Sequence, residues 1–330
     1  MTTPATTSPA PLLSMRGVSL TYRAHDRDVP AVRTVDLDVA RGEIVGLAGE
    51  SGCGKSTLAS TILRLQPTSA QVSGEVLVDG ADVLTMRWGD LRTLRWGEAS
   101  IVFQGALHSL NPVHRIGRQI GEAITTHEPE VSDDDVRRRV GDLLEQVGLP
   151  RQRAQAYPHQ LSGGQKQRIM IAMALACNPS LIVADEPTTA LDVMVQAQVL
   201  DLLSGLVHDL GVGMLIISHD LSVLADLCDR IVVMYAGRVV ESGPADRVFE
   251  QPLHPYSGAL SAAFPKVGDP AARFAPAGLP GDPPDPAALP PGCAFAPRCP
   301  RAVDACSLEV PVLADHGDGR SVACWRVGEP

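Results

Sequence analysis

The feature that most constrains this chain is a glycine-rich loop between an apolar segment and a segment of helix-forming residues. Residues 43–49 are EIVGLAG, which is typical of a buried strand entering a turn, and residues 55–65 have the composition of a helix. Between them, residues 49–56 are GESGCGKS and match the pattern G-x-x-x-x-G-K-[ST]. The order strand, glycine loop, helix predicts a phosphate-binding loop, because glycines let backbone N–H groups converge on an anion at a helix N-terminus.

Composition and charge exclude several other classes of protein. The chain has 28 Lys and Arg against 38 Asp and Glu, a formal net charge of −10. A large nucleic-acid interface needs clustered basic side chains, so any phosphate site here must be local. The longest apolar stretch, residues 169–177, is much shorter than the roughly 20 residues of a membrane-spanning helix. The N-terminal residues lack the pattern of a secretory signal, so we expect an intracellular chain with reduced thiols.

The order of apolar patterns predicts an α/β fold. Residues 12–22 and 31–39 alternate apolar and polar side chains with period two, which favours a half-buried antiparallel β layer. Residues 115–155 are helical in pattern and highly charged. From about residue 164, helices and apolar strands alternate, which predicts a parallel sheet covered by helices.

Two carboxylates extend the predicted phosphate site. Lys55 is expected to neutralise the β- and γ-phosphates, and the Ser56 hydroxyl to ligate Mg²⁺. Residues 181–186, LIVADE, form an apolar strand that ends in Asp185 and Glu186. Asp185 would hold Mg²⁺ through water, and Glu186 would orient or deprotonate the attacking water. Taken alone, the same pattern is equally typical of a solvated strand end.

A second glycine-rich anion cradle, LSGGQ at residues 161–165, begins a predicted helix. One triphosphate needs only one cradle, so the second predicts contact with a nucleotide held by another molecule. Here the sequence resembles the ATP-binding subunits of ABC transporters, whose LSGGQ signature faces the nucleotide of the opposite protomer in a head-to-tail dimer. The residues that match this signature are Leu161, Ser162, Gly163, Gly164 and Gln165.

The resemblance implies roles for further residues. Tyr22 resembles the aromatic side chain that stacks on adenine, and Gln104 resembles the Q-loop glutamine, which senses the γ-phosphate and joins the Mg²⁺ site. Asp192 resembles the D-loop aspartate at the dimer seam, and His219 the switch histidine. The implied catalytic set is Lys55, Gln104, Glu186 and His219. The implied nucleotide contacts of the loop are Gly49, Glu50, Ser51, Gly52, Cys53, Gly54, Lys55, Ser56 and Thr57.

Each of these side chains also has a structural interpretation. Tyr22 could cap the β layer, Gln104 could close a strand end, and a histidine after a strand is commonly structural. Their order and spacing around the phosphate loop favour the functional interpretation.

Further local matches resemble the peptide and nickel importers. Three of them lie at residues 102–104, 109–113 and 116–120, and this region contacts the permease's coupling helix in that family. Two more lie at residues 254–256 and 260–265. Gly105-Ala106 replaces the Asp-Pro that often follows the glutamine, so we expect a more flexible loop there.

Four of the seven cysteines lie in the tail, at Cys293, Cys299, Cys306 and Cys324, with the spacing C-x5-C-x6-C-x17-C. In a reduced compartment such a set favours a metal, either zinc or an iron–sulfur cluster, over plain buried thiols. The C-x-x-C pairs usual for zinc are absent. The family resemblance favours a 4Fe–4S cluster.

The predicted fold is a P-loop NTPase core with a parallel sheet, an N-terminal antiparallel β subdomain, a helical signature subdomain and a short Cys-rich extension. We place a flexible N-terminus at residues 1–11 and the ABC ATP-binding domain at 12–264, with its helical subdomain at about 105–165. Residues 265–291 contain nine prolines, which predicts an extended linker, and residues 292–330 form the extension.

The predicted function is an ATP-hydrolysing subunit of an ABC importer for di- or oligopeptides, peripheral on the cytoplasmic side of the plasma membrane. The resemblance implies a second ABC ATP-binding subunit, usually a different homologous chain, and two transmembrane permease subunits. It implies an indirect partnership with an extracytoplasmic solute-binding protein, and no nucleic-acid partner. Nickel import is the alternative within transport. A non-transport ABC ATPase acting on nucleic acid or ribosomes is disfavoured, because the sequence shows no second cassette, coiled-coil insertion or basic patch.

Overall fold

The computed structural model describes residues 10–23, 27–103, 105, 109–263, 279 and 281–327. The strands are β1 (Leu13–Arg23), β2 (Asp28–Val39), β3 (Ile44–Ala48), β4 (Ala70–Val78), β5 (Ala81–Asp82), β6 (Ala99–Val102), β7 (Leu181–Asp185), β8 (Gly213–Ser218), β9 (Arg230–Tyr235), β10 (Arg238–Pro244), β11 (Ala314–Asp315) and β12 (Ser321–Val322). The α-helices are α1 (Lys55–Ile62), α2 (Trp88–Gly97), α3 (Ile116–His127), α4 (Asp133–Gln146), α5 (Gly163–Ala174), α6 (Val193–Leu210), α7 (Leu221–Leu227), α8 (Ala245–Glu250), α9 (Pro255–Ala263) and α10 (Asp304–Leu308). Short 3-10 helices lie at Arg151–Gln155, Pro158–Gln160 and Ala296–Arg298.

The larger sheet has eight strands in the order β11-β12-β10-β9-β3-β8-β7-β6. Its five strands from β9 to β6 run parallel, and β10, β12 and β11 complete it with antiparallel pairs. Every residue of β3 is buried, as expected for a parallel strand covered on both faces. The predicted P-loop NTPase fold with a parallel sheet is confirmed.

The smaller sheet is antiparallel, in the order β2-β1-β4-β5. It packs over one face of the larger sheet, with α1 contributing Leu58 and Ile62 to the shared core. The larger sheet has an apolar core on each face, and alternate residues of β3 contribute to one or the other. Val45 and Leu47 face the smaller sheet, whereas Ile44 and Ala48 face the helices on the other side. The period-two patterns at residues 12–22 and 31–39 therefore predicted the antiparallel layer correctly.

The charged middle of the chain is helical, as its sequence predicted. The side chain of Ser132 caps α4 by accepting a hydrogen bond from the backbone N–H of Asp135 at 3.1 Å. Ile120 and Ile124 of α3 and Leu144 of α4 are completely buried in the core that extends from the larger sheet. The helical region is therefore continuous with the sheet's core.

The C-terminal segment, residues 281–327, shares the core of the larger sheet. β12 pairs with β10, with Glu241 opposite Val322. Phe295 is 1% exposed and lies with its ring centroid 5.3 Å from that of Tyr235 and 5.4 Å from that of Tyr256. Strand pairing and aromatic packing thus hold this segment in place. Most of the predicted N-terminal and linker segments lies outside the described residues, and the domain boundaries stay a prediction.

The prediction of an iron–sulfur cluster on Cys293, Cys299, Cys306 and Cys324 is wrong. Within the described ranges, no group of three or more His, Cys, Asp or Glu side chains is arranged to hold a metal ion. The cysteine spacing predicts a metal that would stabilise this segment. Strand pairing and aromatic packing already stabilise it.

No helix in the described part of the chain combines the length and the apolar character needed to cross a membrane.

The buried His254 makes folding stability depend on pH. His254 is only 2% exposed, and its Nδ1 accepts a hydrogen bond from the backbone N–H of Tyr256 at 3.0 Å. Burial lowers the pKa of His254 from 6.5 to about 4. Between these two values the unfolded chain binds a proton that the folded chain does not. The free energy of unfolding should therefore fall as the pH drops below 6.5 and level off below about 4.

We expect His254 to account for a loss of about 2 kcal/mol in the free energy of unfolding between about pH 7 and pH 5. The variant His254→Asn keeps a hydrogen-bond acceptor but does not titrate, so it should lose less over the same range. Urea unfolding of both proteins at several pH values measures the difference. Equal pH dependence in the two proteins would show that His254 is not the responsible group.

Candidate functional site

The predicted phosphate loop lies between β3 and α1, and its glycines are required by close contacts. Gly49 has φ 148° and Gly54 has φ 105°. A Cβ at Gly49 would lie 2.3 Å from the carbonyl oxygen of Met234, and one at Gly54 would lie 2.3 Å from that of Ala31. A side chain cannot be accommodated at either position. The loop is therefore packed tightly against β9 and β2 at the N-terminus of α1.

Lys55 is the buried cation of this loop. Its Nζ donates to the carbonyl oxygens of Gly49 at 2.7 Å and Glu50 at 2.9 Å, so the side chain folds back over the loop that precedes it. A positive charge beside the N-terminus of α1 produces a local electropositive site in a chain whose net charge is −10. This arrangement suits the binding of a polyphosphate.

Ser56 and Asp185 come together from the first turn of α1 and the end of β7. The Ser56 hydroxyl donates to Oδ1 of Asp185 at 3.0 Å. Burial raises the pKa of Asp185, and the hydrogen bond from Ser56 acts in the opposite direction. Hydroxyl and carboxylate oxygens are the ligands that Mg²⁺ prefers, so this pair fits the predicted metal position.

Glu186 and His219 meet at the carboxyl ends of the neighbouring strands β7 and β8. Nδ1 of His219 lies 3.5 Å from Oε1 of Glu186, and the Thr189 hydroxyl donates to Oε2 of Glu186 at 2.8 Å. The backbone of Glu186 has φ 45° and its N–H donates to the carbonyl of Ile217 at 3.0 Å. A non-glycine residue in this conformation carries a strain of about 1–2 kcal/mol. The carboxylate is thus held in a fixed position beside an exposed imidazole.

Tyr22, the residue before the last of β1, lies beside α1. Its hydroxyl lies 3.4 Å from Oγ1 of Thr57, so its ring stands next to the first turn of α1. Gln104, the predicted Q-loop glutamine, lies outside the described residues, as does Ala106 of the Gly105-Ala106 pair.

The LSGGQ segment forms a capped helix start. Oγ of Ser162 accepts from the N–H of Gln165 at 3.3 Å, and Oε1 of Gln165 accepts from the N–H of Ser162 at 3.2 Å. A Cβ at Gly164 would lie 2.4 Å from Cγ1 of Val195, so this glycine allows α5 to approach α6 closely. Asp192 caps α6 by accepting from the N–H of Val195 at 3.0 Å. The LSGGQ segment and Asp192 are therefore joined through Val195.

The structure also reveals contacts to the loop that the sequence did not indicate. Glu50 is held by Tyr256 of α9 and by Arg298 of the C-terminal segment. Nothing in the local pattern around residue 50 or residue 298 pairs them, since the two lie 248 positions apart.

Comparison with known proteins gives two family matches. Residues 32–189 match the model described as "ABC transporter", and residues 240–306 match "Oligopeptide/dipeptide transporter, C-terminal region".

Among similar proteins, a relative from Brucella ovis named "Putative peptide import ATP-binding protein" is 44% identical, over 96% of this chain and 97% of that protein. The "Oligopeptide transport ATP-binding protein OppD" of Mycobacterium tuberculosis is 43% identical, over 96% of this chain and 52% of that protein.

Solved structures agree with the family matches. The structure titled "Dimeric Structure of MJ0796, a Bacterial ABC Transporter Cassette" has a TM-score of 0.63 and 31% identity, and covers 71% of this chain and 98% of that chain. A second structure of the same cassette, with the same TM-score of 0.63, is described as a post-hydrolysis state bound to ADP and Pi. The present chain therefore belongs to the ABC transporter ATP-binding proteins that carry the oligopeptide/dipeptide transporter C-terminal region, and it is an ATP-binding and ATP-hydrolysing enzyme.

Proposed function

We propose that this chain supplies the energy for an ABC importer of di- or oligopeptides. The observation that carries the proposal is the coexistence of two features in one chain. Lys55, Asp185, Glu186 and His219 converge at one edge of the sheet, and residues 240–306 match a C-terminal region described for oligopeptide and dipeptide transporters. Relatives named for peptide import, similar over 96% of the chain, support the same substrate class.

In this proposal ATP lies across the N-terminus of α1. Tyr22 stacks on the adenine, and Lys55 with the backbone N–H groups of residues 49–57 binds the phosphates. The oxygens of Ser56 and Asp185 would hold Mg²⁺, and the resemblance assigns Gln104 to the same metal. When bound, the metal neutralises charge on the phosphate oxygens.

Hydrolysis is assigned to the pair of side chains at the ends of β7 and β8. Glu186 accepts a proton from the water whose oxygen attacks the γ-phosphorus, and the bond to the ADP oxygen breaks. His219 donates a hydrogen bond to the γ-phosphate oxygens as charge develops there. The fixed backbone of Glu186 keeps its carboxylate in place for this step.

A second ABC ATP-binding subunit completes each site. Residues 161–165 and Asp192 would contact the nucleotide bound by the partner's phosphate loop. Val193 and Met194, next to Asp192, are 77% and 73% exposed, which is typical of apolar side chains that a partner covers. We expect this partner to be a homologous chain and the dimer to bind two transmembrane permease subunits at the cytoplasmic face of the plasma membrane. An extracytoplasmic solute-binding protein delivers the substrate to those permeases.

Replacing Lys55 should weaken nucleotide binding. The variant Lys55→Ala removes a charge-assisted contact to phosphate, so we expect its affinity for ADP to fall about 10- to 100-fold. Isothermal titration with ADP measures the change, and circular dichroism checks folding. A folded variant that binds ADP like the wild-type protein would remove Lys55 from its assigned role.

Replacing Glu186 should separate ATP binding from ATP turnover. Glu186→Gln keeps the side chain's shape but cannot accept the proton, so turnover should fall about 100-fold or more while ATP still binds. With its natural partner, this variant should accumulate as an ATP-loaded dimer on size-exclusion chromatography. Normal phosphate release by the variant would contradict the assignment.

The transported substrate can be tested through the permease. Affinity purification of the chain from detergent-solubilised membranes should recover two permease subunits and a second ABC subunit, identified by mass spectrometry. Cells that lack the chain should lose uptake of a radiolabelled di- or oligopeptide but keep uptake of nickel. Loss of nickel uptake with normal peptide uptake would reject peptide import.

A further inference from the structure

All three polar groups of Glu50 are engaged in the structure. Its carbonyl oxygen accepts from Nζ of Lys55 at 2.9 Å, and its backbone N–H donates to the hydroxyl of Tyr256 at 2.7 Å. Its carboxylate accepts from both terminal nitrogens of Arg298, at 2.6 Å and 2.9 Å. The second residue of the phosphate loop is therefore fixed from three directions.

Arg298 reaches the loop from the C-terminal segment. Its side chain is only 6% exposed and that of Glu50 is 22% exposed, so the ion pair is shielded from water. The guanidinium also donates to the Tyr235 hydroxyl at 3.3 Å and lies 6.0 Å from the centroid of that ring. A bidentate contact between planar groups fixes orientation as well as distance. Removing either partner leaves the other as a partly buried, uncompensated charge.

The Pro-rich stretch before Arg298 covers the same part of the loop. Pro283, Pro284 and Pro286 line a narrow cavity together with Glu50 and Cys53. This stretch is tied to the smaller sheet, because Asp285 pairs with Arg27 at 2.9 Å and the carbonyl of Pro286 accepts from Arg33 at 2.7 Å. The C-terminal segment therefore surrounds the loop on its outer side.

External support matters because the loop is intrinsically adaptable. Gly49, Gly52 and Gly54 all have positive φ, and glycine-rich backbone loses more conformational freedom on ordering than other backbone. The carbonyls of Gly49 and Glu50 are also the acceptors that hold Lys55. An ordered Glu50 thus orders both the loop and its cation before any nucleotide binds.

We propose that Arg298 is a positioning residue for nucleotide binding, through which the C-terminal segment holds Glu50 and preorganises the phosphate loop. This inference rests on the proposed assignment of residues 49–57 as the phosphate site. Preorganisation raises affinity because the nucleotide no longer bears the cost of ordering the loop. The coupling is reciprocal, so nucleotide binding also stabilises the docked C-terminal segment.

A matched control exists in the same segment. Arg320 also pairs with a buried carboxylate of the ATPase body, with its Nη2 2.9 Å from Oε1 of Glu241, and its side chain is 10% exposed. The carboxylate of Glu241 also accepts hydrogen bonds from the backbone N–H groups of Leu253 and His254. Both of these residues lie outside the phosphate loop. Arg320→Ala therefore removes a comparable ion pair between the segment and the body without removing any group that contacts Glu50.

The test is ADP affinity in the full-length chain, since ADP occupies the loop of one protomer. We expect Arg298→Ala to bind ADP about 5- to 20-fold more weakly than the wild-type protein, and Arg298→Lys to lie between them. Arg320→Ala should bind ADP within about twofold of the wild-type protein. Glu50→Gln should weaken binding, and Glu50→Gln combined with Arg298→Ala should be no weaker than Arg298→Ala alone.

Wild-type affinity in folded Arg298→Ala, an equal loss in Arg320→Ala, or additive losses in the double variant would overturn the inference. If Arg298→Ala does not fold, hydrogen exchange of the wild-type protein with and without ADP tests the coupling instead. ADP should slow exchange at residues 293–300, and unchanged exchange there would overturn the coupling. A wild-type protein that binds ADP no better than Lys55→Ala would instead refute the phosphate-site assignment itself.

Discussion

The register of the parallel strands β3, β8 and β7 is the constraint on which the site depends. Ala48 lies opposite Ser218, and Asp185 lies opposite Ile217, so all three strands end at the same edge of the sheet. The phosphate loop follows the first strand, His219 follows the second, and Glu186 follows the third. Ser56 and Asp185, 129 positions apart in the chain, therefore meet at this edge. A slip of one residue would turn buried side chains to the opposite face, and the two apolar cores hold the register against it.

The C-terminal segment extends this arrangement beyond the ATPase core. It adds β12 and β11 to the edge of the larger sheet, inserts Phe295 beside Tyr235 and Tyr256, and contributes the paired arginines Arg298 and Arg320. One of these arginines pairs with the phosphate loop itself. Arg298 lies within residues 240–306, which match the oligopeptide/dipeptide transporter C-terminal region, so part of that region contacts the predicted phosphate loop.

The parts of the fold that sequence predicted are those encoded locally. The phosphate loop, the apolar strand before Asp185, the capped helix at Ser162 and the period-two strands each have a pattern within about ten residues. The pairing of β10 with β12 and the contact of Glu50 with Arg298 have no such pattern, because they depend on how distant segments pack. His254 likewise has an ordinary sequence environment, and only its burial gives it an altered pKa. The cysteine spacing led to a wrong metal prediction, because separation along the chain does not determine whether thiols converge in space. The role of Gln104 stays a prediction.

We propose that one ATP is held between two polypeptides, by the phosphate loop of one and the LSGGQ segment of the other. The most direct measurement is the ATPase rate per chain at a series of protein concentrations, with the association state determined by sedimentation at each one. We expect the monomer to bind ATP without turning it over, and hydrolysis to appear only when the chain pairs with a second ABC subunit. A steady hydrolysis rate in a chain that sediments as a monomer would contradict it.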